Sequence, residues 1–248
     1  MSESGPAPAA TSTGGATVPD GLVSAVVHLV STGPVLLGSY TIAELTAVDA
    51  VVDFLETKPS DEVLAEAVRS LAARQLLVSG DDGNQLQVRG DLGITVAFQR
   101  RARAVLDARV TRTEPGEPWR ILLLPQPEGI CLQFRIDALG IHQIGLYPLV
   151  DALEDLVKWL PHGSRADASD PVDTDALLAA ADRAALLTVT RYTAQGSEEA
   201  AGATTDLVLA RQDDRLHVLA RDPSDRSRLI PSPESGKELP AVLTGLLA

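Results

Sequence analysis

Cysteine, aromatic residues and positive charge are all scarce in this chain, and each scarcity excludes something. With Cys131 as the only cysteine, no disulfide closes within the chain and no cluster of thiolates can hold a metal. Cys131 sits in Ile130-Cys131-Leu132-Gln133-Phe134, a strand-like run in which an inert buried thiol is expected rather than a nucleophile. Aromatics are 3% of the residues, so Leu, Val, Ala and Ile must fill the core. The 21 Lys+Arg face 34 Asp+Glu, a net charge of −13. That field repels phosphate backbones and anionic membrane surfaces unless positive charge gathers locally. No apolar run approaches the roughly 20 residues that span a bilayer. The first twenty residues lack the basic and apolar segments of a secretory signal. The expectation is a cytoplasmic protein without membrane insertion.

Signatures of chemistry are missing too. There is no Gly-x-x-x-x-Gly-Lys-Ser/Thr loop, no Gly-x-Gly-x-x-Gly after a strand and no Gly-x-Ser-x-Gly elbow. His28, His142, His162 and His217 are scattered without metal-ligand spacing. Asp81-Asp82-Gly83-Asn84 lacks the closing Glu of a calcium loop and reads as a turn. Glu154-Asp155 and Asp213-Asp214 fall on a helix surface and a turn, where neighbouring acids are simply solvated. No enzymatic activity, cofactor or metal is expected.

What remains is an ordinary globular composition, 45% apolar and 22% charged, in 248 residues. Residues 1–20 are nearly all Ser, Gly, Pro, Ala and Thr, and read as a disordered tail. A first half follows over 21–162. It opens with a strand from the run Leu22–Val30 through Gly33-Pro34 to Leu36-Leu37. A helix comes next, with Thr41-Ile42-Ala43-Glu44 as its capping box and Ile42, Leu45, Val48, Val52 and Leu55 as its stripe. A second helix begins at Ser60-Asp61, and a hairpin surrounds Gly80–Asn84. Two helices and a hairpin give the outline of a winged helix. A third helix covers about Ile94–Asp107. Four strands follow, Ala108–Thr113, Trp119–Leu124, Ile130–Ile136 and Ile141–Tyr147, and a helix closes the half at Leu149–Leu160. Residues 163–172 are a polar linker.

The second half, 173–248, repeats the order: a helix over Asp175–Leu187, strands at Thr188–Tyr192, Thr205–Arg211, Arg215–Arg221 and near Arg228–Ile230, and a short helix at Leu239–Leu247. Val110-Thr111-Arg112 corresponds to Val189-Thr190-Arg191, Gln126 to Gln212, and Asp137 to Asp222; a longer loop at Ala194–Thr204 explains the change of offset. The expected fold is α+β, with two helix–antiparallel meander–helix halves joined edge to edge around a pseudo-dyad and a winged-helix-like helical insertion at the N-terminal side.

Arg100, Arg101, Arg103, Arg109 and Arg112 raise a nucleic-acid reading, a winged-helix regulator with an α+β sensory domain. The helix that would read a groove carries Glu62 and Glu66 against Arg69 and Arg74, however, and lacks the basic face such a helix needs. Nucleic acid is therefore not the expected partner, and the arginines are expected to pair with the acidic surface.

The layout resembles the EspG family, the cytosolic chaperones of actinobacterial type VII secretion. The resemblance spans about residues 35–247. It is carried by Ala67-Val68-Arg69-Ser70-Leu71-Ala72-Ala73-Arg74-Gln75-Leu76-Leu77 leading into a Gly-containing hairpin, by the helix and meander from Phe98, and by the repeated half from Asp175. The chain departs from the family at Gln75, where glycine is usual, and in a shorter C-terminal helix. The resemblance implies a non-catalytic chaperone that binds the apolar helical tip of a PE–PPE-type secretion substrate, using its sheet and C-terminal helices. Within that frame Leu122, Leu123, Leu124, Pro125, Gln126 and Ile130 are the candidate partner-binding residues, because three consecutive leucines put apolar groups on both faces of a strand. Helices covering both faces there are the alternative.

Overall fold

The computed structural model describes residues 18–50, 59–80, 86–166, 173–195 and 198–247. Among them are seven helices and a large antiparallel sheet, an α+β protein as expected. The chain begins with helix α1 (Asp20–Val30), strand β1 (Val35–Thr41) and helix α2 (Ile42–Ala47). The run Leu22–Val30 is thus a helix and not the expected strand. Val23, Val26 and Val30 recur at helical spacing and are buried, and burial of that stripe outweighs the β-preference of valine. The strand of this region is β1, after Gly33-Pro34. The capping box forms at Thr41 and Glu44. α2 ends at Ala47; the part of the expected helix carrying Val52 and Leu55 lies outside the described residues.

Helix α3 (Asp61–Ala73), capped by the Ser60 hydroxyl, leads to the hairpin of β2 (Leu77–Ser79) and β3 (Leu86–Val88). Helix α4 (Gly90–Arg101) and strand β4 (Ala104–Val110) follow. The sequence between Ala102 and Asp107 reads as helix, yet the helix stops at Arg101. Leu106, Ala108 and Val110 then alternate into one cluster while Val105 joins another, and pairing on both sides of β4 decides for strand. Next come β5 (Arg120–Pro125), β6 (Ile130–Ile136), β7 (Ile141–Pro148), helix α5 (Leu149–Trp159) and the short β8 (Ser164–Arg165), which turns part of the linker into a strand. Helix α6 (Thr174–Ala180) is shorter than expected, because β9 (Arg183–Gln195) takes its second half. β10 (Glu198–Gln212), β11 (Arg215–Arg221), β12 (Leu229–Pro231) and helix α7 (Leu239–Leu247) complete the chain. The expected loop Ala194–Thr204 falls mostly in the far end of the β9–β10 hairpin, where Ala201 still pairs with Tyr192.

The sheet has ten strands in the order β1-β7-β6-β5-β4-β9-β10-β11-β12, with β8 beside β11. Among the described residues only the β8–β11 pair is parallel. The two sequential meanders meet where β4 pairs antiparallel with β9, and Ala108 lies opposite Leu187. One sheet face packs under α5 and α7, through Leu106, Leu123, Leu187, Leu209, Leu156 and Val242 among others. The opposite face of the first meander packs under α1–α4, through Leu122, Phe134, Leu146, Val30, Leu71 and Phe98. Burying each such side chain contributes about 1.5–3 kcal/mol. On the same face of the second meander the cluster is small: α6 sets Leu177 and Ala181 against Ala210 and Leu219.

Candidate functional site

The six residues singled out in the sequence are brought together, but inside the molecule. Leu122, Leu124 and Ile130 belong to the cluster under α1–α4, and Leu123 to the one under α5 and α7. All four are at most 4% exposed, and Pro125 is half-buried. Gln126 is buried as well; its amide donates to the Phe98 carbonyl at 3.0 Å and the Leu124 carbonyl at 3.2 Å, tying α4 to the β5–β6 turn. The physical reason is placement. β5 is an interior strand with helices over both faces, so its apolar residues on both sides are core.

Arg100, Arg101 and Arg109 are engaged by Asp49, Glu128 and Asp107 respectively, as expected of arginines on an acidic protein. Burial pushes the Cys131 thiol up to about 12, so at neutral pH it is protonated and a poor nucleophile. His142 is buried with Nδ1 3.0 Å from the Gly140 carbonyl, and the His162 Nδ1 lies 3.1 Å from the Leu160 carbonyl. Among the described residues, His, Cys, Asp and Glu do not gather in a group that could hold a metal ion, and no helix is long and apolar enough to cross a membrane.

The accessible feature lies on the sheet face opposite α5 and α7, where the two meanders meet. Here Arg109 and Thr111 from the β4 end, Trp119 before β5, Ala184 and Leu186 from β9, and Val208 from β10 line a shallow concavity of about 280 Å³. Strand alternation places them: residues whose neighbours face α5 and α7 must face this side. Leu186 and Val208 are half-buried, and Trp119 is 37% exposed. One pleat away, polar side chains form a row across the strands. Asp107 lies opposite Thr188, Thr188 opposite Asp206, and the Arg221 Nε donates to Asp206 at 2.8 Å. The Arg120 Nε and Nη2 donate to the two Asp107 oxygens at 2.8 and 2.7 Å, and the Arg109 Nε and Nη2 reach the same carboxylate at 3.1 and 2.9 Å. Thr188 donates to Asp206 at 3.0 Å.

Each acid in the row is thus held by fixed donors, an arrangement suited to recognition and to stiffness rather than to passing protons. The sequence carries little sign of this surface. Its residues come from four stretches of chain, and Ala184–Leu187 reads as the end of a helix. The exposed Trp119, in a chain with two tryptophans, is the one signal that could have pointed to it. No family model matches the chain, and no curated protein is similar to it.

Proposed function

We propose that this protein is a non-catalytic chaperone or adaptor that holds an apolar helical client, in the manner of the EspG chaperones it resembles. The observation that carries the reading is the order of elements. Helix, four-stranded meander and helix occur as α4-β4-β5-β6-β7-α5 and again as α6-β9-β10-β11-β12-α7, joined through β4 and β9. Ala108 and Leu187, paired at the join, are the two residues that the offset relating Val110 to Val189 makes equivalent. We read the halves as copies of one module about a pseudo-dyad, and α2, α3 and the β2–β3 hairpin as a winged-helix-like insertion beside it. A broad sheet with helices alongside is a physically sound dock for a helix end.

Co-expression with small helical secretion substrates encoded near its gene tests the reading. A stable complex that keeps an otherwise insoluble substrate in solution is the expected result. The reading fails if such substrates remain insoluble and the chain instead retains DNA with a steep dependence on salt.

A further inference from the structure

We propose that β8, in the linker between the halves, is a guard strand: it holds the outer edge of β11 and so denies that edge to the same strand of a second copy. The inference is independent of the client reading and concerns what keeps the chain from pairing with itself.

β11 is a strand that needs such a guard. Arg215-Leu216-His217-Val218-Leu219-Ala220-Arg221 is a proline-free, mostly apolar run between two arginines. Short segments of that kind pair with their own copies when an edge is left open. One edge of β11 is taken by β10, from Leu207 opposite Ala220 to Gln212 opposite Arg215. The other edge is covered in two pieces. β12 pairs Pro231 with Leu219, Ile230 with Ala220 and Leu229 with Arg221, and the Ser232 N–H extends this cover to the Val218 carbonyl at 2.8 Å. β12 is itself three residues long and ends in Pro231, which offers no donor to a further strand. The start of β11 falls to the linker. The Ser164 N–H donates to the Asp214 carbonyl at 2.9 Å and the Ala166 N–H to the Leu216 carbonyl at 3.0 Å, in a parallel pairing. This strand adds little to the core: Ser164 is exposed, and Ala166, although buried, belongs to none of the hydrophobic clusters. Its contribution is the backbone bonds, and Gly163 lets them form, because a Cβ there would lie 2.5 Å from the Asp214 carbonyl oxygen.

The test displaces β8 by two routes in the full chain, a clash in Gly163→Val and a lost donor in Ala166→Pro. Ser164→Ala, which keeps the backbone donor, is the control. Sedimentation velocity is run over a range of concentrations, in salt high enough to screen the net charge of −13. All three variants should keep the far-ultraviolet circular dichroism of the wild type, and Ser164→Ala should sediment as the wild type does. For Gly163→Val and Ala166→Pro the average mass should rise with concentration to about twice that of the wild type or more. Adding Arg215→Cys to Gly163→Val should let a bismaleimide join two copies, while the same cysteine in a chain with β8 in place should not; Cys131 is buried and does not compete. Four results overturn the proposal: folded variants that sediment as the wild type at every concentration, equal association by Ser164→Ala, association without the cross-link, or loss of the fold in both variants. The last would make β8 a support of the core and not a guard.

Discussion

Glu44 shows how one side chain can organise a corner of the molecule. Its carboxylate accepts the Thr41 N–H at 2.9 Å, the Ser70 hydroxyl at 2.7 Å and the Arg74 guanidinium at 3.0 Å, so that it caps α2 and ties it to α3. Burial alone would raise its pKa; the Thr41 N–H, Ser70 hydroxyl and Arg74 charge outweigh burial and hold the carboxyl below its ordinary value. A folded-state pKa below the unfolded one means stability that is present above the ordinary carboxyl range and lost as pH falls through the depressed value. Glu44→Gln should therefore lower stability at pH 7 by about 1–3 kcal/mol, and the gap to wild type should narrow in acid; denaturant melts across pH measure both. Gln75 makes the opposite case. It follows α3 with φ of 58°, in the left-handed region, as the residue that ends the helix. Glycine adopts that conformation without strain, and Gln75→Gly should raise stability by about 0.5–1 kcal/mol in thermal unfolding. A lower melting temperature would show that the Gln75 side chain contributes more than its backbone costs.

At the scale of elements, β9 holds both helices of the α5–α7 face. The Arg183 Nη2 donates to the Trp159 carbonyl at 2.9 Å at the end of α5, and the Arg191 Nη2 to the Leu246 carbonyl at 2.8 Å at the end of α7. Cations at helix C-termini satisfy orphan carbonyls and complement the dipole. Arg183→Ala and Arg191→Ala should each cost about 1–2 kcal/mol, and faster amide exchange should appear at the end of α5 in the first variant and of α7 in the second. Exchange spread evenly over the molecule would contradict separate clamps. The outer strand β1 is blunted by a bulge between Leu36 and Gly38, and by the Tyr40 hydroxyl and the Arg74 Nη2 donating to the Leu37 and Ser39 carbonyls. Elements with a strong local pattern were legible in the sequence. Ile130, Leu132, Phe134 and Ile136 alternate against Cys131, Gln133 and Arg135, and β6 runs from Ile130 to Ile136. β11 and α7 also lie where their residues place them. Of β4 and β9 only the later parts, from Ala108 and Thr188, were legible, because Ala104–Asp107 and Ala184–Leu187 suit a helix locally and become strand through pairing with neighbours on both sides. The concavity beside Trp119 inherits that blindness, being built on the same two strands.

For the whole molecule, the β4–β9 ladder is the seam on which the sheet depends. Chains cut between the halves would each present a long unpaired strand, β4 or β9, with Leu106 or Leu187 stripped of cover. Residues 1–162 and 163–248 expressed apart should aggregate, and expressed together should yield one soluble complex. Two separately soluble, cooperatively melting pieces would show that the seam is dispensable. The linker is fastened as well as the sheet. The Ser164 N–H donates to the Asp214 carbonyl and the Ala166 N–H to the Leu216 carbonyl, and a Cβ on Gly163 would lie 2.5 Å from the Asp214 oxygen.

The two indoles offer a reporter that needs no label. Trp159 is buried with Nε1 donating to the Pro118 carbonyl, while Trp119, next along the chain from that carbonyl, is partly open to water. Ultraviolet emission from the intact protein should therefore resolve into a bluer component shielded from iodide and a redder one more open to it. Anything that settles over the sheet beside Trp119 will protect the red component and leave the blue one untouched.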